Sequence, residues 1–280
     1  MVIAGPTTAG KSALALRLAG TARGTIINAD ASQLYADLRV LSARPSDTDL
    51  ALAPHRLYGV IDGAQACSAA AWAALARAAI DETLADGRLP IVTGGSGLYL
   101  RTLLDGIAAV PEIDAATRAA TRALATVDAH AALARKDPVA AARLAPADRQ
   151  RVLRALEVIH ATGRPLGEWQ ASSTGGIAGR MQIEGIVVDL PRAELHARIA
   201  ARFDAMLAAG ALAEVEALAA RQLAPDLPVM KALGVPELLA VVRGDATLAD
   251  AAAAAVSATR RYAKRQQTWF RNQTPGWQRH

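Results

Sequence analysis

Residues 5–12 read GPTTAGKS, which fits the pattern G-x-x-x-x-G-K-[ST]. Loops of this pattern bind phosphate oxygens through their backbone N–H groups when a strand precedes them and a helix follows them. Here apolar VIAG (2–5) is typical of a short strand, and SALALRLAG (12–20) is typical of a helix that ends near Gly20. This context favours a phosphate-binding loop over a glycine-rich turn that matches by accident.

In such a loop the lysine contacts the outermost phosphate, and the hydroxyl that follows it ligates Mg²⁺. We therefore expect Lys11 to act in catalysis through its positive charge and Ser12 to hold Mg²⁺ as a cofactor. The residues expected to bind a diphosphate or a nucleotide are Gly5, Pro6, Thr7, Thr8, Ala9, Gly10, Lys11 and Ser12.

Strand-like and helical segments alternate along the first part of the chain. TIINAD (25–30) and LPIVTGG (89–95) are typical of strands, and a long alanine-rich helix is predicted over 68–87. This alternation predicts an α/β fold with a P-loop NTPase-like parallel sheet flanked by helices.

The pattern changes to nearly all helix from residue 112 to residue 182. Strand character then returns in IEGIVVDL (183–190), and long helices follow it. We therefore predict a core domain made of residues 1–111 and 183–280 with C-terminal helices, and a helical insertion domain over residues 112–182.

Composition excludes several classes of protein. The single cysteine, Cys67, excludes an internal disulfide and a multi-cysteine zinc site. The chain has no long uncharged apolar run and no signal-peptide pattern, so we expect a cytoplasmic protein without a membrane partner. We also expect the protein to be a monomer. The net charge is +5, and the first 110 residues contribute none of this excess.

Two strand exits carry side chains that suit catalysis. Asp30 follows the second predicted strand, where a carboxylate at the ligand-binding edge of the sheet can accept a proton, but it can equally cap a helix that begins near Ser32. Ser96, in GGSGLY (94–99), can face the same crevice. LPIVTGG ends without an acidic residue, which argues against an ATPase motor or a GTPase.

Two predicted helices carry basic faces. DRQRVLR (148–154) places arginines three residues apart, and RRYAKRQQTWFR (260–271) interleaves basic and aromatic residues. Such faces suit RNA phosphates and unstacked bases, although most basic runs are only solvated surface.

Taken together and in order, these motifs resemble the tRNA dimethylallyltransferase (tRNA isopentenyltransferase) family. The resemblance covers almost the whole chain. It rests on GPTTAGKS (5–12), DASQLY (30–35), ARP (43–45), APHRLYGVID (53–62), GGSGLYL (94–100), DRQRVLRALEV (148–158) and RRYAKRQQTWFR (260–271).

The resemblance implies transfer of a dimethylallyl group from dimethylallyl diphosphate to N6 of adenosine 37 in tRNA, assisted by Mg²⁺. By position, Asp30 would accept the proton of the attacking amine, Ser96 would lie near the reacting groups, and Lys231 would face the diphosphate. The insertion would clamp the anticodon stem-loop. The residues that match the family's tRNA contacts are Asp30, Ala31, Ser32, Gln33, Ser96, Arg118, Gln150, Arg151, Val152, Leu153 and Arg154.

The chain also departs from the family pattern. Ala31 stands where the family has serine, Ser96 stands where it has threonine, and the segment 36–45 diverges.

Two other classes of protein stay open. One is a small P-loop kinase whose helical lid brings Arg149, Arg151 and Arg154 to ATP, and the other is a non-catalytic RNA-binding protein.

Overall fold

The structure is a computed structural model that describes residues 1–280. It consists of two compact units. The core unit comprises Met1–Leu103 and Ala178–His280, and the helical unit comprises Leu104–Ile177. Both boundaries lie a few residues before the predicted ones.

The core unit contains one sheet of six parallel strands in the order β3-β2-β4-β1-β5-β6. The strands are β1 (Val2–Ala4), β2 (Gly24–Asn28), β3 (His55–Arg56), β4 (Leu89–Gly94), β5 (Gly185–Val187) and β6 (Gln278–Arg279). The four longer strands are those that the sequence predicts, whereas the two-residue strands β3 and β6 carry too short a pattern to be recognised.

Burial explains why the central strands are apolar. β1 and β2 are buried along their whole length, and Ile3, Ile26 and Ile91 are almost completely inaccessible. Strands of a parallel sheet covered on both faces read as continuous hydrophobic runs, as these do.

Eight helices belong to or begin in the core unit. They are α1 (Lys11–Thr21), α2 (Asp47–Leu52), α3 (Ala69–Ala85), α4 (Gly97–Asp105), α10 (Arg192–Ala208), α11 (Ala211–Ala220), α12 (Val235–Val242) and α13 (Leu248–Gln273). Helix α1 ends at Thr21, one residue after Gly20, near which the sequence predicts its end. None of the helices combines the length and the hydropathy needed to cross a membrane.

The helical unit contains α5 (Ala115–Arg122), α6 (Thr126–Lys136), α7 (Pro138–Arg143), α8 (Arg149–Thr162) and α9 (Leu166–Ala171). Its core forms where the apolar stripe of α8, including Val152 and Leu156, packs against Ala129 and Leu133 of α6. Gly163 ends α8 with a φ of 69°, a conformation that favours glycine.

The topology determines where a ligand can bind in the core unit. Because all strands run in parallel, the residues that follow β1, β2 and β4 lie at one edge of the sheet, which is the usual ligand-binding edge of such folds. These are the loop 5–10, the segment around Asp30, and the turn around Ser96.

Candidate active site

The loop 5–10 connects β1 to the first turn of α1. Gly5 has a φ of 143°, and a Cβ there would collide with the carbonyl oxygen of Val188, so only glycine fits. Gly10 (φ 103°) forms the N-cap of α1 in the left-handed region, and Thr8 adopts φ 64° although it is not glycine. The loop thus brings its backbone toward the positive end of a helix, as anion binding requires.

Lys11 lies in the first turn of α1 and points back over the loop. Its Nζ donates a hydrogen bond to the carbonyl oxygen of Pro6 at 2.6 Å. Burial lowers the pKa of Lys11 to about 8, although the negative charge of Asp30 opposes this shift; the positive charge of Arg202 adds to it. The ammonium group is therefore poorly hydrated and close enough to Asp30 and Arg202 to sense their charges.

Asp30 is held by the asparagine two residues before it. Asn28 is fully buried; its Oδ1 accepts the N–H of Asp30 at 2.7 Å, and its Nδ2 donates to the carbonyl oxygens of Asp30 and Leu57. Asp30 Oδ1 accepts from the N–H and the hydroxyl of Ser32 at 3.0 and 2.7 Å. Oδ1 therefore stabilises the 3-10 turn Ser32–Leu34, while Oδ2 makes no hydrogen bond within the chain. Both readings of Asp30, local cap and base, are compatible with this geometry.

The turn after β4 connects to both of these loops. Ser96 Oγ accepts the N–H of Ala31 at 3.0 Å. One residue earlier, the carbonyl oxygen of Gly95 accepts from Gln266 Nε2 at 2.9 Å, and Gln266 Oε1 accepts the N–H of Thr7 at 2.9 Å. The turn after β4, the Asp30 loop and the phosphate-binding loop are therefore joined by side-chain hydrogen bonds.

A cleft of about 820 Å³ opens at this edge of the sheet. The predicted residues that line it are Thr7, Thr8, Gly10, Lys11, Ser12, Asp30, Ala31, Ser32, Gln33 and Lys231. Gly5, Pro6 and Ala9 are buried beneath it, so they shape the loop without lining the cleft. Ser96 also lies behind the lining, where its hydroxyl accepts a hydrogen bond from the N–H of Ala31. Gln33 donates both of its Nε2 hydrogens to the carbonyl oxygens of Ser42 and Ala43.

The helices C-terminal to β5 also contribute residues, of which Tyr262 and Arg265 belong to the predicted basic helix, whereas Arg198 and Arg202 carried no signal in the sequence. Arg198 and Arg202 of α10 and Tyr262 and Arg265 of α13 line the cleft. Burial lowers the pKa of Arg202, while Asp30 acts in the opposite direction. Burial and the charge of Asp30 raise the pKa values of Tyr58 and Tyr262. Asp30 thus lies amid two cations and two phenols that stay protonated.

The IPP transferase family model matches residues 33–273 of the chain. The chain belongs to this family. A tRNA dimethylallyltransferase of Sphingopyxis alaskensis is 57% identical over 281 residues, which cover 100% of this chain and 92% of that protein. The tRNA dimethylallyltransferase of Zymomonas mobilis is 49% identical, covering 98% and 88% of the two chains.

Solved structures of IPP transferase relatives agree with this assignment. The full-length tRNA isopentenylpyrophosphate transferase of Bacillus halodurans is 30% identical, with a TM-score of 0.70 over 100% of this chain and 88% of that one. A eukaryotic dimethylallyltransferase, captured acting on tRNA, is 26% identical, with a TM-score of 0.82 over 96% and 69% of the two chains. The predicted family and the predicted P-loop fold are confirmed.

In this IPP transferase, the predicted RNA contacts of the helical unit divide into two groups. Val152 and Leu153 of α8 are buried in the core of that unit. Contrary to the prediction, their side chains therefore do not offer a surface to RNA. Gln150, Arg151 and Arg154 of the same helix are exposed. Arg118, on α5, is half-buried and donates to the carbonyl oxygen of Ile113 at 3.2 Å.

The basic residues of α13 also divide. Arg265 lies on the cleft side of the helix with Tyr262, whereas Arg260, Arg261 and Lys264 face a separate groove. The pattern RRYAKRQQTWFR therefore does not form the single basic face that its composition indicates. Helical periodicity separates it into a side that lines the cleft and a side that does not.

Proposed function

We propose that the chain transfers a dimethylallyl group from dimethylallyl diphosphate to N6 of adenosine 37 in tRNA, beside the anticodon. The observation that carries this proposal is that Lys11 of the phosphate-binding loop and the carboxylate of Asp30 share one cleft and sense each other's charge. A site that pairs an anion-binding loop with a base suits a reaction that expels a diphosphate and removes a proton.

In the proposed reaction the lone pair of N6 forms a bond to C1 of the dimethylallyl group while the bond from C1 to the diphosphate oxygen breaks. The diphosphate leaves with both electrons of that bond, and the proton of N6 passes to Asp30. Such a positioned base contributes about 10²–10⁴-fold to a rate.

Negative charge grows on the leaving diphosphate, so the cleft needs donors around it. Lys11, Arg202 and the N-terminus of α1 supply positive charge at the loop. Loss of one such preorganised donor costs about 10²–10³-fold in rate. Thr7 contributes its side chain rather than its N–H, because Gln266 already accepts that N–H.

The residues at the loop fit a magnesium ion that arrives with the substrate. Ser12 lines the cleft, and two buried hydroxyls beside it, those of Thr8 and Thr93, have no partner within the chain. No cluster of three or more acidic, histidine or cysteine side chains suits a metal. Mg²⁺ commonly takes most of its ligands from phosphate and water, so Ser12 with the diphosphate would suffice. Bound there, the ion would supply charge neutralisation at the leaving group.

The apolar part of the cleft suits the hydrocarbon part of the donor. Leu41, Phe203, Met206 and Leu233 line it. The adenine must leave its stack to reach Asp30, as bases do in other base-modifying enzymes. Gln150, Arg151 and Arg154 of the helical unit are the side chains that we assign to the anticodon stem-loop.

The test is a transfer assay with purified protein, Mg²⁺ and an anticodon stem-loop that carries adenosine 37, supplied separately with dimethylallyl diphosphate and with ATP plus a small acceptor. The expected product is RNA heavier by one dimethylallyl group at that adenosine. The matched control is the same RNA with a cytidine at position 37. Phosphorylation of the acceptor with unmodified RNA would instead establish the kinase alternative.

A further inference from the structure

Gln266 is a buried amide in the middle of α13, with only 5% of its surface exposed. Its neighbours on the same helix stripe, Ala263 and Phe270, are apolar. A polar side chain in such a stripe needs internal hydrogen bonds, because burying an unpaired amide is costly. Gln266 hydrogen-bonds to two backbone groups far away in sequence, the N–H of Thr7 and the carbonyl oxygen of Gly95.

The orientation of this amide is unambiguous. The N–H of Thr7 can only donate, and the carbonyl oxygen of Gly95 can only accept, so Oε1 must face Thr7 and Nε2 must face Gly95. Gly95 makes room for it, since a Cβ at that position would collide with Nε2 of Gln266. The three residues therefore form a specific contact that other residue types at position 95 would prevent.

The Thr7 end of this contact lies beside strained backbone. Thr8, the next residue, has a φ of 64°, which is unfavourable for a residue with a branched Cβ. Such conformations persist only where surrounding contacts hold them. The Gln266 side chain accepts a hydrogen bond from the backbone N–H of Thr7, the residue directly before the strained Thr8.

The Gly95 end of this contact lies next to a hydrogen bond that holds the segment of the proposed base. Ser96, which follows Gly95, accepts the N–H of Ala31, and Ala31 follows Asp30. One amide thus links the loop that holds the leaving group to the segment that carries the proposed base. Displacing such groups by about 1 Å can reduce a rate about 10²-fold.

We infer that Gln266 is a positioning residue, which sets the distance between the phosphate-binding loop and Asp30 without touching substrate. This inference rests on the proposed transfer reaction. It predicts that loss of the amide lowers kcat rather than the affinity for tRNA.

The experiment compares Gln266→Met with a matched control, Gln267→Met. Gln267 is the next residue of α13 and also makes a long-range amide hydrogen bond, from Nε2 to Asp189 Oδ1 at 2.7 Å, but outside the cleft. Both variants lose the hydrogen bonds of a side-chain amide, and both keep a similar side-chain volume. Transfer is measured at saturating donor and RNA, well below the unfolding temperature of each variant and per amount of folded protein.

We expect Gln266→Met to lose at least about tenfold in kcat with tRNA affinity unchanged, because the reacting groups are misplaced. We expect Gln267→Met to stay within twofold of the unsubstituted protein. Equal kcat in the two variants would overturn the inference. If the unsubstituted protein transfers nothing, the proposed function fails instead.

Gln266→Glu provides a second test should the methionine variant not fold. A protonated glutamic acid has one acceptor oxygen and one O–H donor, so it can reproduce both hydrogen bonds, whereas the carboxylate cannot donate to Gly95. Burial raises the pKa of such a carboxyl group. The kcat of this variant relative to the unsubstituted protein at the same pH should therefore rise as the pH falls. A constant ratio across the range would contradict the inference.

Discussion

Ser96 Oγ accepts a hydrogen bond from the backbone N–H of Ala31 at 3.0 Å, so the turn after β4 holds the residue next to the proposed base. The Ser96 side chain also lowers the pKa of the Tyr262 phenol, against the larger raising effect of burial. The Ser96 hydroxyl, rather than the rest of its side chain, makes the contact with Ala31. A threonine offers the same hydroxyl, so it can make the same hydrogen bond at this position.

Ser96→Ala should therefore reduce transfer, while Ser96→Thr should retain it. The alanine variant leaves the N–H of Ala31 without its acceptor and loosens the Asp30 segment. We expect the free energy that holds this segment to fall by the net worth of one hydrogen bond, about 0.5–1.5 kcal/mol. The measurement is kcat for both variants at saturating substrates. Equal activity of the two variants would show that the hydroxyl has no part in holding Asp30.

Asp30→Asn should keep the fold and the affinity for tRNA but lose about 10²–10⁴-fold in turnover, because an amide oxygen cannot serve as the base. Its Oδ1 can still accept from Ser32, so the local turn is preserved. Ser32→Ala is the control that weakens the turn without changing the carboxylate. If both variants lose the same activity, Asp30 acts as a cap rather than as a base.

The pH dependence of donor use should reflect Lys11. Its pKa is lowered to about 8 by burial, so the ammonium loses its proton as the pH rises through that value and the cleft loses a positive charge. Because kcat/KM reports the free enzyme, kcat/KM for the diphosphate donor should fall above about pH 8.

Lys11→Arg is the control for the fall in kcat/KM above pH 8, since a guanidinium stays charged throughout the accessible pH range. The arginine variant should show a flatter profile above pH 8, whatever its absolute rate. A decline of equal steepness in both proteins would assign the titration to another group.

The parts of the site that sequence reasoning recognised are local in the chain. The loop 5–12 is defined by glycine and lysine spacing within eight residues, and Asp30 by its place directly after an apolar strand. Such signals need no knowledge of the tertiary structure. The fold class follows from them in the same way, because each strand and helix carries its own periodicity.

The remaining parts come together only in the folded chain. Arg202 and Gln266 belong to helices more than 160 residues after the loop that they approach, so no short spacing predicts their positions. Gln266 alone left a recognisable signal, as a polar residue within the buried stripe Ala255, Ala263 and Phe270 of α13. Asn28 left none, because the carbonyl oxygen of Leu57 that it binds is brought near only by the pairing of β2 with β3.

Arg202→Gln should lower kcat for transfer by about 10²-fold, since it removes a positive charge that would stabilise the leaving diphosphate in the proposed reaction. Arg202 is half-buried, lines the cleft and responds to the charge of Asp30. Arg243→Gln is the matched control, because Arg243 is an exposed arginine that follows α12 and does not line the cleft. Single-turnover rates at saturating donor check the prediction. Equal rates in the two variants would remove Arg202 from the diphosphate site.

The double variant Arg151→Gln with Arg154→Gln should weaken tRNA binding and flatten its salt dependence, while leaving transfer at saturating RNA nearly unchanged. Both side chains are exposed on α8, and Arg122 still pairs with the buried Glu157 at 2.8 Å after Arg154 is removed. Each lost phosphate contact should reduce the slope of log affinity against log salt by about one. The control is Arg135→Gln with Arg143→Gln, which removes the same charge from exposed positions of α6 and α7 in the same unit. If both double variants change the slope equally, RNA senses only the net charge of the helical unit and α8 makes no specific contact.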